Sequence, residues 1–433
     1  MIATIPRQMK PSGVPWLGDI PAGWEFPRIH SLFFEVNEKY SPTQDGEMPL
    51  LSVSEYYGVA PRADKIDEDA ILVRAESLDG YKKCQKGDII INIMLAWKNA
   101  LGVAPCSGIV SPAYCVYRSR KKLDARYFHH LFRTKRYGDV FRTVSTGIID
   151  SRLRLYTDKF FSIHAPFPPL PEQRAIADFL DEKCAAIDAI VEEAKSGIEE
   201  YAKWKQSVIF QAVTKGLAPH AKMKDSGVEW IGEIPEEWNV MRVKQFFHII
   251  TGSGFKPEIQ GREIGDYPVC KASDISKAGK NCHGAANWIS EQERKVHHFS
   301  IIPSGSILHA KIGEAMKKNA RTISRIDCCV DNNCQGLVMK DIDVDFGYYL
   351  FCCIDMNWFN HPGTIPYIDN QKLLDCHIPF PWLPEQRAIA AYLDEKCSAI
   401  DALIEEKKQL IEDLGVYKKS LIYETVTGKR KIA

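Results

Sequence analysis

Long apolar runs are missing from this sequence: nowhere do about 18 uncharged apolar residues follow one another, the length a membrane-spanning helix requires. The opening Met1-Ile-Ala-Thr-Ile-Pro-Arg7 also lacks the basic region and apolar stretch of a secretory leader. Both absences argue against a membrane or secreted protein. Paired CxxC spacings are absent too. The 13 cysteines are an odd number and include the adjacent pairs Cys328/Cys329 and Cys352/Cys353, which suits neither a disulfide framework nor a zinc site. They read as reduced thiols in a cytoplasm. Net charge is nil, with 56 basic and 56 acidic side chains, which taken alone argues against a nucleic-acid partner. What is present is ordinary for globular protein: 45% hydrophobic and 26% charged residues. At roughly 150 residues per domain, a length of 433 implies more than one folding unit.

Catalytic motifs are lacking as well. Gly252-Ser-Gly254 is followed by Phe-Lys-Pro257, so the third glycine of GxGxxG is gone, and no GxxxxGK[ST] phosphate loop occurs. The only Pro-Pro, Pro168-Pro169, stands before a helix and not in the Asn/Asp-Pro-Pro-aromatic motif of adenine methyltransferases. His129-His130 and His297-His298 lack the HExxH spacing of a helical zinc site and read as core or surface histidines. The triplets Asp181-Glu-Lys183 and Asp394-Glu-Lys396 read as helix-surface charge pairs.

A repeat organises the chain. Pro171–Glu193 recurs as Pro384–Glu406 with 18 of 23 positions identical. Met9–Trp24 recurs as Met223–Trp238 at nearly the same offset. Between these blocks lie residues 25–169 and 239–382, which resemble each other weakly if at all. The frame is fixed and the inserts differ.

Residues 172–214 and 385–427 each read as one long helix after a proline-rich stop. With Leu180 at heptad position a, the seam of the first is Leu180, Ile187, Tyr201 and Val208 with Val191 and Ile198 at d; Lys205 interrupts it. The second offers Leu393, Ile400, Leu414 and Leu421 with Ile404 and Ile411. At about 1.5 Å per residue each helix is a strut of roughly 65 Å. A short connector leads from the first helix to the second insert, so the second helix buries its seam only by running back antiparallel, which predicts a pseudo-twofold, cyclic arrangement with the two inserts held apart.

The zero net charge hides a segregation. Each long helix is acidic, residues 1–171 carry a net +5, and the tail Lys429-Arg-Lys431 is basic. Cations cluster further at Arg118, Arg120, Lys121, Lys122, Arg126, Arg133, Lys135 and Arg136, and at Lys311, Lys317, Lys318, Arg321 and Arg325. Such clusters attract phosphate, although a charge run is more often a solvated face.

These residues resemble one family, the specificity (S) subunit of type I restriction–modification systems. The likeness covers essentially the whole chain. It rests on Leu-Pro-Glu-Gln-Arg-Ala-Ile-Ala at Leu170–Ala177 and Leu383–Ala390, on Gly-x-x-Trp-[Leu/Ile]-Gly-x-Ile-Pro at Gly13–Pro21 and Gly227–Pro235, and on the cyclic domain–helix–domain–helix order. The resemblance implies a mixed α/β fold: two target recognition domains with small twisted sheets, joined by two long antiparallel coiled-coil helices. The expected boundaries are 1–169, 170–216, 217–383 and 384–433. It also implies a non-catalytic subunit that reads a split, asymmetric sequence in double-stranded DNA. The expected partners are two modification subunits and two restriction subunits, which hold the S-adenosylmethionine, ATP and magnesium. Two alternatives stay open: a protein-only scaffold, or the specificity subunit of a related methyltransferase without restriction subunits.

Within that resemblance, Gly87–Ile93 and Gly305–Lys311 read as a turn followed by a buried strand, and the segments after them as the part turned toward DNA. Side chains able to match base edges or phosphates are Trp97, Lys98, Asn99, Ser145, Thr146, Arg152 and Arg154 in the first domain. In the second they are Lys256, Lys271, Lys311, Lys317, Lys318, Asn319, Arg321, Asn332 and Thr364.

Overall fold

The computed structural model describes residues 7–64, 78–361 and 366–432. Its contacts divide into two units, Met1–Ala194 with Gln409–Ala433, and Lys195–Lys408. Each unit therefore contains one mixed α/β domain and part of both long helices. The helices run Leu170–Lys215 and Leu383–Val426, so Pro171 and Pro384 lie in their first turns, not in a stop before them. A first-turn amide has no acceptor within the helix, and proline costs little there.

The heptad pattern locates the seam. Every a and d position of both helices is buried or half-buried. In the first unit Leu180, Ile187 and Val191 share a core with Leu414 and Leu421. In the second, Val208 packs in a core with Leu393 and Cys397. Ile198, Tyr201, Ile404 and Ile411 are half-buried, and Ile400 is buried. Three lysines interrupt the seam: Lys205 pairs with Asp401 at 2.7 Å, Lys418 with Asp188 at 2.6 Å, and Lys407 lies 5.7 Å from the Tyr201 ring centroid. In the two ion pairs both partners are shifted by the same 213 residues, so one ion pair is made twice. Gly197 faces Lys407 and Lys205 faces Asp401, the order of an antiparallel pair.

The two domains share a topology that their sequences hide. In the first, Phe33–Val36, Tyr114–Ser119, Ile89–Asn92 and Leu101–Val103 lie side by side, each antiparallel to its neighbour. In the second, Phe247–Thr251, Cys334–Met339, Ile307–Ala310 and Arg321–Ser324 repeat that order, and Asn281–Cys282 adds a parallel edge. The strands Ile89–Asn92 and Ile307–Ala310 are buried throughout, as the turn-and-strand reading expects. A helix packs in each domain, Ala125–Phe132 in one and Val344–Cys352 in the other, N-capped by Asp124 and Asp343.

The repeated blocks join these domains to the helices. Met9–Pro11 pairs with Asp19–Pro21, and Met223–Asp225 pairs with Glu233–Pro235 in the same register. Behind each hairpin a buried indole, Trp24 or Trp238, donates to the carboxylate of Glu172 or Glu385, at 2.8 and 2.9 Å. The next residue is a buried glutamine. Gln173 accepts from the Asp124 amide and donates to the Pro168 carbonyl; Gln386 does the same for Asp343 and Pro381, all at 2.8–2.9 Å. The far end of each helix closes on the hairpin that holds the start of the other, where a Cβ on Gly216 would meet Trp238 and one on Gly428 would meet Pro21 and Trp24.

Two outcomes follow. Gln173→Ala strands a buried amide and a buried carbonyl, so urea denaturation should show a loss of about 1–3 kcal/mol, and Gln386→Ala should match it. Burial also lowers the pKa of His129 to about 3 and of His309 to about 4. An unfolded histidine titrates near 6.5, so the unfolded chain takes up protons first and stability falls as pH drops below about 6.5. Thermal melts at pH 7 and 5 should show that decline, with a cost of up to about 2 kcal/mol per histidine. The H129Q/H309Q variant should show a shallower one.

Candidate nucleic-acid interface

The chain leaves the buried strand Ile89–Asn92 and turns through Ala96–Lys98. The Ile93 carbonyl accepts from the Leu155 amide at 3.0 Å, which brings the Ser145–Arg154 loop beside the turn. The indole of Trp97 has two cations near it, with Lys98 Nζ 5.3 Å and the Arg142 guanidinium 5.5 Å from its centroid. Its Nε1 is buried and has no hydrogen-bond partner. Arg142 is braced by Asp150 at 2.8 Å. Lys98, Thr146 and Arg152 are exposed, so this corner presents cations and a hydroxyl to solvent.

The other first-domain candidates are occupied. Asn99 has a left-handed backbone, φ 63°, and its amide donates to the carbonyls of Phe132 and Thr134. Ser145 donates back to the Phe141 carbonyl, and Arg154 folds onto the carbonyls of Ser151 and Leu153.

In the second domain the equivalent turn follows Ile307–Ala310. The Lys311 carbonyl accepts from Ile368 at 3.0 Å, its amide donates to Asn333, and Gly313 donates to Pro366, so three segments meet there. Exposed Asn332 lies on the turn between Asp331 and Cys334. Ser253 donates to the Val330 carbonyl and brings exposed Lys256 to the same side. Lys317 and Lys318 are exposed on and beside the short helix Gly313–Lys317, where Lys317 is 2.7 Å from Glu314. Lys271 is held by Gln260 and lies 4.9 Å from the Phe255 ring centroid. Thr364 lies outside the described residues.

Asn319 and Arg321 serve the framework. Asn319, φ 53°, donates to Asp355 and accepts from the Met356 amide; Arg321, 8% exposed, donates to the carbonyls of Asn319 and Ile354. Asn99 and Asn319 thus occupy one structural position, latching the turn to the chain beyond the domain helix. The shared tripeptide Lys-Asn-Ala, Lys98–Ala100 and Lys318–Ala320, was the available signal.

The basic run of the first domain is dispersed. Arg118 forks onto Asp88, Arg126 bridges Asp124 to Asp178 and Asp181 of the acidic helix, and Arg133 spends its donors on backbone carbonyls including Leu101 and Tyr56. Lys122, Lys135 and Arg136 remain exposed. Asp181 also pairs with His130, and Asp394 with Tyr349 and Lys280, so both triplets are tied to their domains. Among the described residues no group of three His, Cys, Asp or Glu side chains is placed to hold a metal ion, and no helix is long and apolar enough to cross a membrane.

Comparison with known proteins matches residues 235–413 to the type I restriction modification DNA specificity domain. The type I restriction enzyme MjaVIII specificity subunit of Methanocaldococcus jannaschii is 26% identical over 441 residues, 95% of this chain and 94% of its own. The chain resembles the specificity subunits of type I restriction–modification systems over nearly its whole length. A second member from that organism, the putative type I restriction enzyme MjaX specificity subunit, is 24% identical over 320 residues, 72% of this chain and 70% of that one. Two solved structures share the fold. One is a chain from a study of complex assembly and conformational transition in a type I R-M system, with TM-score 0.71, 16% identity, and coverage of 95% of this chain and 99% of that one. The other is the HsdS subunit of Thermoanaerobacter tengcongensis, with TM-score 0.54, 17% identity, and coverage of 95% and 98%.

The site separates two kinds of residue. Lys98→Ala or Arg152→Ala should each lower the salt dependence of DNA binding by about one unit of slope and leave the melting temperature unchanged. Asn99→Ala should lower the melting temperature, since its carbonyl partners lose their donor. Salt-titrated binding and thermal denaturation of the same samples check both.

Proposed function

We propose that this chain is a specificity subunit that reads a bipartite, asymmetric DNA sequence, one half through each recognition domain, and assembles the enzyme around it. The observation that carries the reading is the contrast between frame and insert. Two domains of one topology, with unlike sequences, present an exposed cationic turn at the same place, after Ile89–Asn92 and after Ile307–Ala310. Duplicated anchors with unlike readers suit an asymmetric target. The chain itself is non-catalytic.

Phosphate contacts fall to Lys98, Arg152, Lys256, Lys311, Lys317 and Lys318, which position the duplex; Asn332, Thr146 and Thr364 are left to match base edges. The partners are two modification subunits with S-adenosylmethionine and two restriction subunits with ATP and magnesium, in the cytoplasm. Trp204 and Tyr417, equivalent in the two helices and about half exposed, are candidate contacts for them. The helix seam, from Leu180 and Leu393 onward, acts as the spacer between half-sites.

Footprinting of the chain with its modification subunits tests this. Two separated protected tracts are expected, whereas a protein-only scaffold gives none. Removing one heptad from both helices shortens each by about 10 Å, or roughly three base pairs of duplex. Methylation mapping should then show a shorter spacer and unchanged half-sites; altered half-sites would assign the helices a part in reading.

A further inference from the structure

The loop from Thr146 to Arg154 has a feature that phosphate binding does not explain. Its two end residues exchange both backbone hydrogen bonds at 2.9 Å and close a tight hairpin. The base is anchored, because Leu153 and Leu155 are buried and the Leu155 amide is bonded to Ile93. Gly147 has φ 149°, and a Cβ there would lie 2.6 Å from the Arg152 carbonyl oxygen, so the chain doubles back at a separation glycine permits. At the tip Ile148 is 100% and Ile149 53% exposed.

A single exposed aliphatic side chain is unremarkable on a protein surface. This pair differs in its setting. It is carried on an anchored hairpin with exposed Arg152 beside it, Arg142 braced across the loop by Asp150, and Lys98 on the indole that Arg142 also covers. Cations here draw in a phosphate backbone, and whatever enters a groove beside them meets base edges. Isoleucine has no donor or acceptor and cannot read the hydrogen-bond pattern of those edges. The apolar group on a major-groove edge is the 5-methyl of thymine.

We infer that Ile148 and Ile149 are specificity-determining residues that pack against a thymine methyl group in the half-site read by the first domain. The inference rests on the DNA-recognition reading above. Lys98 and Arg152 hold the backbone while the tip supplies selectivity by shape and burial.

The test uses the chain purified with its modification subunits and duplexes carrying its target, mapped by methylation. Each thymine of that half-site, on either strand, is replaced in turn by uracil, which removes only the methyl group. Wild type should bind about fourfold more weakly at one or two of these positions, the effect of one buried methyl. The I148A/I149A variant should bind the thymine and uracil duplexes equally well and keep the wild-type salt slope and melting temperature. The inference is overturned if wild type is indifferent to every replacement. It is overturned equally by a variant that retains the discrimination, including one weakened to the same degree on both duplexes. A wild-type complex that prefers no sequence at all would instead overturn the recognition reading itself.

Discussion

Everything in this structure depends on one turn of helix made twice. Pro-Glu-Gln begins each long helix, and its two polar side chains point in different directions. The glutamate takes the indole behind the lead-in hairpin, Trp24 or Trp238, and the glutamine takes the N-cap amide of the domain helix, Asp124 or Asp343. A buried glutamine amide has a donor and an acceptor to satisfy, and both are used. Few alternatives fit such a position, since a residue one methylene shorter or lacking either function leaves a buried group unpaired. The identity of the two blocks follows from that geometry.

The same logic says where the domains are free to differ. Inside each, the sheet order, the bond from the strand-end carbonyl of Ile93 or Lys311 to the returning chain, and the left-handed asparagine latch are kept. Backbone hydrogen bonds and one short side chain do this work, so the other side chains are released from it. The guanidinium near the latch shows the latitude: it is Arg133, from the end of the domain helix, in one domain and Arg321, from a strand, in the other. Beside the latch both domains carry a lysine, Lys98 or Lys318, and the other cations of that surface differ.

The long helices were legible in the sequence because their constraint is local and periodic. Leu180, Ile187, Leu393 and Ile400 fall on one stripe whatever they pack against, and all four are buried. Burial of the strands Ile89–Asn92 and Ile307–Ala310 was legible for a similar reason, a glycine turn before an apolar run. The roles of individual polar residues were not. Asn99, Asn319 and Arg321 have the chemistry of base readers, yet each is committed to backbone or side-chain partners far away in sequence, and residue type cannot tell those uses apart. The run from Arg118 to Arg136 misled in the same way, because its carboxylate partners Asp88, Asp178 and Asp181 lie outside it.

The core of the first unit is finished by residues from the other end of the chain. Leu421 and Val426 pack with Leu17, Ile20 and Trp24, and the Tyr127 hydroxyl donates to the Val426 carbonyl. The second unit, Lys195–Lys408, is one continuous segment. During translation, the domain made first must therefore wait with part of its interior open until the final helix has left the ribosome, while the domain made later already has all its residues. Birth order and completion order are reversed.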